Sequence, residues 1–377
     1  MAIQVLSPVF KVEECLAEIR ECLEKGWTGM GFKTNELEKK WSEYTGLKYS
    51  HFLNSNTVGL HLSLHMFKEK YNWADGDEVI TTPLTFISSN HAIAYCNLKP
   101  VFADVDSSLC ISPESMLERI TNKTKAIMYV GVGGRCGQLE KIQEICNQKG
   151  IIMILDAAHM AGTRINGQHV SPDADATIFS YQAVKNLPTA DSGMICFKNE
   201  EDDLRARKLT WLGINKDTYS RTSSEKGSYK WMYDVDDIGF KYHGNSIMAA
   251  IGLVQLKYLD QDNAYRRQIL SWYKENLKNV PEVTFVEDTG SCESATHLCQ
   301  ILVENRDDII TKLYEREIYP GVHYRDNTLY KPYAEAFGSC PSSHEYSNKL
   351  ITLPIHLRLT KNDVDYVSKT LKSILGK

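Results

Sequence analysis

The chain has 377 residues, with 42% apolar and 24% charged side chains and a formal net charge of −5. That length exceeds one small module and suits a large domain joined to a smaller one, with an ordinary globular core. A net negative charge with no cluster of Lys and Arg disfavours a nucleic-acid binder, which needs a basic face.

No basic segment leads into a long apolar run at the start, so no secretory signal is expected. No stretch approaches about 18 uninterrupted apolar residues, so no membrane span is expected either. The ten cysteines lie scattered between Cys15 and Cys340 without a C-x-x-C pair. That dispersal reads as reduced thiols in a cytoplasmic protein, with no disulfide framework and no metal site.

From Glu36 to Ile195, short apolar runs alternate with helical patterns. Strands are expected at Tyr49–Asn54, Glu78–Thr82, Lys99–Asp104, Ala126–Val130, Ile151–Asp156, Ala176–Ser180 and Gly193–Lys198. Helices are expected at Asn35–Tyr44, Thr57–Glu69, Ser88–Tyr95, Pro113–Ile120 and Leu139–Lys149. A run such as Ile151–Leu155, wholly apolar, reads as a strand covered on both faces. This alternation predicts an α/β sheet wrapped by helices, with ligands at the carboxyl ends of its strands.

Past Gly244 the pattern changes. Ile247–Ala264 and Arg267–Leu277 read as two helices, followed by strands near Val283–Val286 and His297–Val303. Helices Arg306–Arg316 and Lys361–Leu375 complete an α+β segment. The expected division is a large α/β domain over residues 1–250 and a small α+β domain over 251–377.

The most informative window runs from Ile152 to Gly193 and contains D-A-A-H at Asp156–His159 and S-Y-Q-A-V-K ending at Lys185. Asp156 closes a buried apolar strand, a costly place for a carboxylate unless a cation or strong donors await it. Lys185 follows another strand end among uncharged neighbours, where desolvation lowers an amine pKa and favours Schiff-base chemistry. Taken singly, these are a strand-end cap and a surface lysine. Together they suit pyridoxal 5′-phosphate (PLP), whose ring nitrogen needs a carboxylate and whose aldehyde needs a lysine.

Two further windows support that reading. In N-S-N-T-V-G-L-H at Asn54–His61 a strand meets a helix, and its small polar side chains and first-turn N–H groups suit a phosphate or simply a helix cap. In P-L-T-F at Pro83–Phe86 an aromatic face lies just past a strand end, placed to stack on a ring or to fill the core.

With these windows in order, the chain resembles the DegT/DnrJ/StrS-type sugar aminotransferases, PLP enzymes of fold type I that act on nucleotide-linked keto-sugars. Matching pieces run nearly end to end. They include G-W-T-G-M-G at Gly26–Gly31, S-N-T-V-G-L at Ser55–Leu60, P-V-F-A-D-V-D at Pro100–Asp106 and T-K-A-I at Thr124–Ile127. Later come G-F-K-Y at Gly239–Tyr242, A-A-I-G-L-V-Q-L at Ala249–Leu256, G-V-H-Y at Gly321–Tyr324 and L-P-I-H at Leu353–His356.

The resemblance implies that Lys185 forms the imine with PLP and that Asp156 pairs with the pyridine nitrogen. It puts His159 near the phenolic oxygen, Phe86 on the ring, and Asn56, Thr57 and Ser180 on the phosphate with Gln182 close by. It makes Lys241 a phosphate ligand in the neighbouring subunit's site, hence a homodimer, and sets His323 and Tyr324 against the sugar or its diphosphate. The implied reaction moves an amino group from L-glutamate to C3 or C4 of a keto-6-deoxy sugar on dTDP, UDP or GDP, for glycan, polysaccharide or O-antigen biosynthesis.

Related dehydratases replace the lysine with histidine, so Lys185 argues against them. One departure stands out. The usual G-E-G-G after the lysine reads Ala190, Asp191, Ser192, Gly193 here, which leaves a cofactor-binding sensor or scaffold as the alternative.

Overall fold

A computed structural model describes residues 2–170, 173–215, 233–288, 290 and 292–377. Its centre is a seven-stranded sheet built from β1 (Tyr49–Leu53), β2 (Glu78–Thr81), β3 (Lys99–Phe102), β4 (Thr124–Val130), β5 (Ile152–Asp156), β6 (Ala176–Ser180) and β7 (Gly193–Phe197). The order across the sheet is β1-β7-β6-β5-β4-β2-β3. β7 runs antiparallel to both neighbours, and the remaining pairs are parallel. All seven expected strands are present, and their ends shift by no more than two residues.

The side chains explain why these runs become central strands. In β5, Met153 and Leu155 join one apolar cluster and Ile154 joins another on the opposite face. β4 divides in the same way, with Ile127 and Tyr129 on one side and Ala126 and Met128 on the other. Both faces of the sheet are therefore dry, which removes the polar alternation of a half-exposed strand.

Helices cover the two faces. α1 (Val12–Glu24) and α2 (Phe32–Thr45) pack against helix Ser246–Leu256. α3 (Asn56–Lys70) and α4 (Ile87–Tyr95) follow β1 and β2 and pack on each other. α3 lies so close to the sheet that a Cβ on its Gly59 would sit 2.7 Å from Ile178 Cγ2.

A third core joins helices Leu259–Leu277 and Lys361–Ile374 to an antiparallel sheet of Thr284–Phe285, Cys299–Leu302 and Leu350–Leu353. The amino-terminal strand Ile3–Gln4 pairs in parallel with Ile318–Tyr319, and Ile3 is buried in this third core.

Two expectations need correction. The helix expected over Ile247–Ala264 breaks at Lys257–Tyr258, and its second half continues unbroken to Leu277. No Gly or Pro marks the break; the amides of Lys257 and Tyr258 turn back onto Val254 and Gln255, while Leu259 starts the next helix fully buried. The cysteines are also not all free thiols. Cys136 and Cys292 form a disulfide across 156 residues, with Cα atoms 6.2 Å apart, and the other eight are free and buried. A pairing so distant in the chain leaves no local spacing to read.

The close approach of α3 generates a stability prediction. Gly59→Val should lower stability by about 1–3 kcal/mol, because the added methyls have no room at the sheet. Urea unfolding should show a lower midpoint at unchanged slope.

Candidate active site

β1, β2, β4, β5 and β6 all run in the same direction, so their carboxyl ends share one edge of the sheet, and a cleft of about 950 Å³ opens there. It is lined by Ser55 and Thr57 after β1, Phe86 after β2, Asp156 and His159 at and after the end of β5, and Ser180, Gln182, Val184 and Lys185 at and after the end of β6. From the carboxyl-terminal half, His297, His323 and Tyr324 complete its wall.

Lys185 is placed by a hairpin connection. β6 and β7 are antiparallel, so the segment between them folds back on itself. The amides of Tyr181, Ala183 and Thr189 donate to Ser192 O, Ala190 O and Tyr181 O at 2.8–2.9 Å, and the Lys185 amide donates to Gln182 O at 2.8 Å. This staple fixes the lysine over the strand ends. Burial lowers its pKa to about 8, against a smaller upward pull from Asp156. A substantial share of neutral amine at physiological pH is the condition for nucleophilic capture of an aldehyde.

Asp156 ends the central strand and is 3% exposed. Its carboxylate accepts from Ser89 Oγ at 2.8 Å, Asn56 Nδ2 at 3.2 Å and the Ala158 amide at 3.2 Å. Burial nevertheless raises its pKa above the usual carboxylate range, because these donors only partly offset desolvation. A carboxylate in that state is stabilised further by a positive partner in the cleft.

The anion cradle is the start of α3. Ser55 caps the helix, its hydroxyl accepting from the Val58 amide at 3.3 Å. Gly193 makes the approach possible: a Cβ there would lie 2.7 Å from Asn56 N and 2.8 Å from Phe179 O. Asn56 and Thr57 at the helix start and Ser180 at the end of β6 line the same cleft, and a helix start of this kind suits a phosphate. Asn56 is held differently from a simple phosphate ligand. Its side-chain amide turns inward to Asp156 and to Ile178 O at 3.1 Å, leaving its backbone for an anion.

Phe86 presents an open ring, 58% exposed, at the cap of α4, with its centroid 6.1 Å from that of Tyr324. His159 is buried; the Gly133 amide donates to its Nδ1 at 3.1 Å and its Nε2 lies 3.1 Å from the Tyr324 hydroxyl. Burial and the charge of Lys185 hold it well below the ordinary histidine pKa. Gln182 lines the cleft with its side-chain oxygen turned to the Val184 amide. Lys241 does not reach the cleft of its own chain; its ammonium sits 3.2 Å from the centre of the Trp211 ring. Asp191 and Ser192 both border the cleft, and the Ser192 hydroxyl is bonded to Thr189 Oγ1 at 2.7 Å.

Three contributors escape a reading along the chain. Ser89 is the shortest donor to Asp156. His297 lies with its ring 4.4 Å from that of His159, and Asn186 holds its Nδ1 at 2.7 Å. Ser89 lies within the S-S-N stretch just after Phe86, where helical phase alone points it toward the strand ends. His297 carries no such local signal.

These residues fit PLP. A buried carboxylate short of positive charge, a lysine with a lowered pKa, an exposed aromatic face and a capped helix start are the four contacts such a cofactor needs.

Comparison with known proteins agrees. The profile of the DegT/DnrJ/EryC1/StrS aminotransferase family matches residues 10–372. Spore coat polysaccharide biosynthesis protein SpsC of Bacillus subtilis is 33% identical, the alignment covering 98% of this chain and 96% of SpsC. Aminotransferase TlmJ from Streptoalloteichus hindustanus superposes with a TM-score of 0.91 at 28% identity, covering 100% of this chain and 99% of TlmJ. Spr1654 of Streptococcus pneumoniae, solved in PLP and PMP forms, gives 0.90 at 28% identity, the PLP form covering 99% of this chain and 98% of Spr1654. The chain therefore belongs to the DegT/DnrJ/EryC1/StrS aminotransferase family and is a PLP-dependent sugar aminotransferase of fold type I.

Proposed function

We propose that this enzyme takes the amino group of L-glutamate and delivers it to C3 or C4 of a nucleotide-linked keto-6-deoxy sugar, as a step in glycan or polysaccharide biosynthesis. The observation that carries this reading is the pairing of Lys185 and Asp156 across a cleft large enough for a sugar nucleotide. PLP, when bound, supplies the electron sink that lets a carbon next to nitrogen lose and regain a proton.

The chain's own groups do the rest. Asp156 would pair with the ring nitrogen, Phe86 would cover the ring, and His159 would stand near its phenolic oxygen. The start of α3, with Asn56, Thr57 and Ser180, would hold the phosphate, with Gln182 close by. Lys185, with its lowered pKa, would hold the cofactor covalently and would be the group in this cleft placed to take up and return a proton. His323 and Tyr324 meet the sugar. The resemblance of SpsC, named for polysaccharide biosynthesis, supports the pathway class.

The working unit in this reading is a homodimer in the cytoplasm. Leu212, Val235 and Ile238 expose apolar side chains, Ile238 at 96%, beside the Gly239–Tyr242 segment. A second copy covering that surface brings Lys241 to the neighbouring phosphate. The sensor or scaffold alternative loses ground because the Ser192 hydroxyl is absorbed by Thr189, which leaves the Lys185 hairpin intact.

Three outcomes test the proposal. A panel of nucleotide 3-keto and 4-keto-6-deoxy sugars incubated with glutamate, read by mass, should yield one amino-sugar; no product from any member overturns the substrate class. Lys185→Ala should lower amino transfer roughly a thousandfold or more and abolish the visible absorbance of lysine-bound cofactor, whereas a sensor would retain its binding and lose no turnover.

The third outcome is a pH dependence. Only the neutral amine attacks an aldehyde, so the rate of PLP capture by apoprotein should rise with pH and level off above about 8. At pH 7 the reactive fraction is on the order of a hundredfold above that of an ordinary lysine. Asp156→Asn should move the midpoint lower still, since that carboxylate is what pulls the Lys185 pKa upward.

A further inference from the structure

The hydrogen-bond directions around His159 determine where the proton of Tyr324 points. A backbone N–H can only donate, so the Gly133 amide at 3.1 Å requires a lone pair on His159 Nδ1. His159 is neutral, being buried among Lys185, His297 and His323. Its one ring proton is therefore on Nε2, which donates to the Tyr324 hydroxyl oxygen at 3.1 Å. That oxygen is thus an acceptor in this contact, and the hydroxyl's own proton is free to point elsewhere. Among the described residues His159 is its sole hydrogen-bond partner, and Tyr324 lines the cleft beside Phe86 and Lys185.

The tyrosine is also held firmly. Gln300 Nε2 donates to the carbonyl of His323 at 2.5 Å, and Gln300 Oε1 in turn accepts from the buried Arg135 guanidinium. Arg135 is anchored by Ser108 O at 2.8 Å, and His323 Nδ1 lies 2.9 Å from Thr352 Oγ1. The chain on the amino side of Tyr324 is thus pinned from two directions. Its ring lies nearly parallel to that of His159, at 16°.

We propose that Tyr324 is a catalytic residue that shuttles a proton from the attacking nitrogen to the substrate's carbonyl oxygen. The proposal rests on the transaminase reading above and adds a group to it. As an amine nitrogen adds to the carbonyl carbon, a C–N bond forms and the π pair of C=O moves to oxygen. The hydroxyl of Tyr324 gives its proton to that oxygen, and its own oxygen takes the proton that the nitrogen must lose. The adduct is neutral, the tyrosine is restored, and no other reactant is consumed. The Nε2–H of His159 stabilises the passing negative charge on the tyrosine oxygen. Burial keeps the phenol protonated until the moment of transfer.

Tyr324→Phe removes the hydroxyl and keeps the ring, so it separates chemistry from packing. The test follows single turnovers of the cofactor's amino form with the aminated sugar's keto precursor and, separately, with 2-oxoglutarate, whose carbonyl undergoes the same addition. The expected result is a fall of about 10²–10⁴-fold in both, loss of the solvent deuterium effect on that step, and unchanged PLP affinity and melting temperature. Rates within threefold of wild type overturn the proposal. So does a long-range ¹H–¹⁵N spectrum of the apoprotein that finds the His159 proton on Nδ1. If wild type reacts with 2-oxoglutarate and with no keto-sugar, the substrate reading fails while the test of Tyr324 still stands.

Discussion

The site is organised around a carboxylate that folding has buried at the end of a strand. Desolvating Asp156 is expensive, and one ion without a partner is tolerated only where donors converge on it. Those donors arrive from three elements: Ser89 on α4, Asn56 at the head of α3 and the amide of Ala158 in the turn after β5. The first turns of two helices and the end of the central strand are thereby tied to a single side chain. The donors still leave the carboxyl with a raised pKa, so the folded chain holds an incompletely compensated charge facing the cleft. Lys185 feels that charge through space and not through a hydrogen bond, and the carboxylate remains available to a ring nitrogen.

That constraint explains which parts of the molecule were legible along the chain. Central strands covered on both faces are written as unbroken apolar runs, and the seven runs became seven strands in one sheet. Elements settled by distant partners were not. Ile3–Gln4 is too short to show any period, and it exists because Ile318–Tyr319 lies beside it. The break at Lys257 carries no Gly or Pro, and the Cys136–Cys292 disulfide joins residues with no shared local pattern.

The same distinction runs through the site. Lys185, Asp156, Phe86 and Thr57 each lie at or just past a strand end, and the shared strand direction gathers those ends on one edge. Chain order was therefore enough to bring them together. It was not enough to orient them. Asn56 sits where a phosphate ligand was expected, yet its amide supports Asp156, because Gly193 lets the helix start drop onto the sheet. His297 and Asn186 meet across 111 residues, a contact that only the packing of the third core against the sheet creates. Lys241 lies outside its own chain's cleft, with its ammonium over the Trp211 ring.

Floor and wall of the cleft consequently differ in physical character. The floor consists of strand ends and helix starts, whose positions follow from sheet hydrogen bonding and whose chemistry is that of the cofactor. The wall depends on hydrogen bonds in series around one buried cation, from Ser108 O to Arg135, to Gln300, to the carbonyl of His323. Burial lowers the pKa of Arg135, with the nearby charge of Asp288 opposing the shift. A buried guanidinium is costly to leave unpaired, so removing Gln300 would strand one side of it, and the network resists piecemeal change. A cation secured in this way lets the wall hold His323 and Tyr324 in place without drawing on the buried carboxylate of Asp156 in the floor.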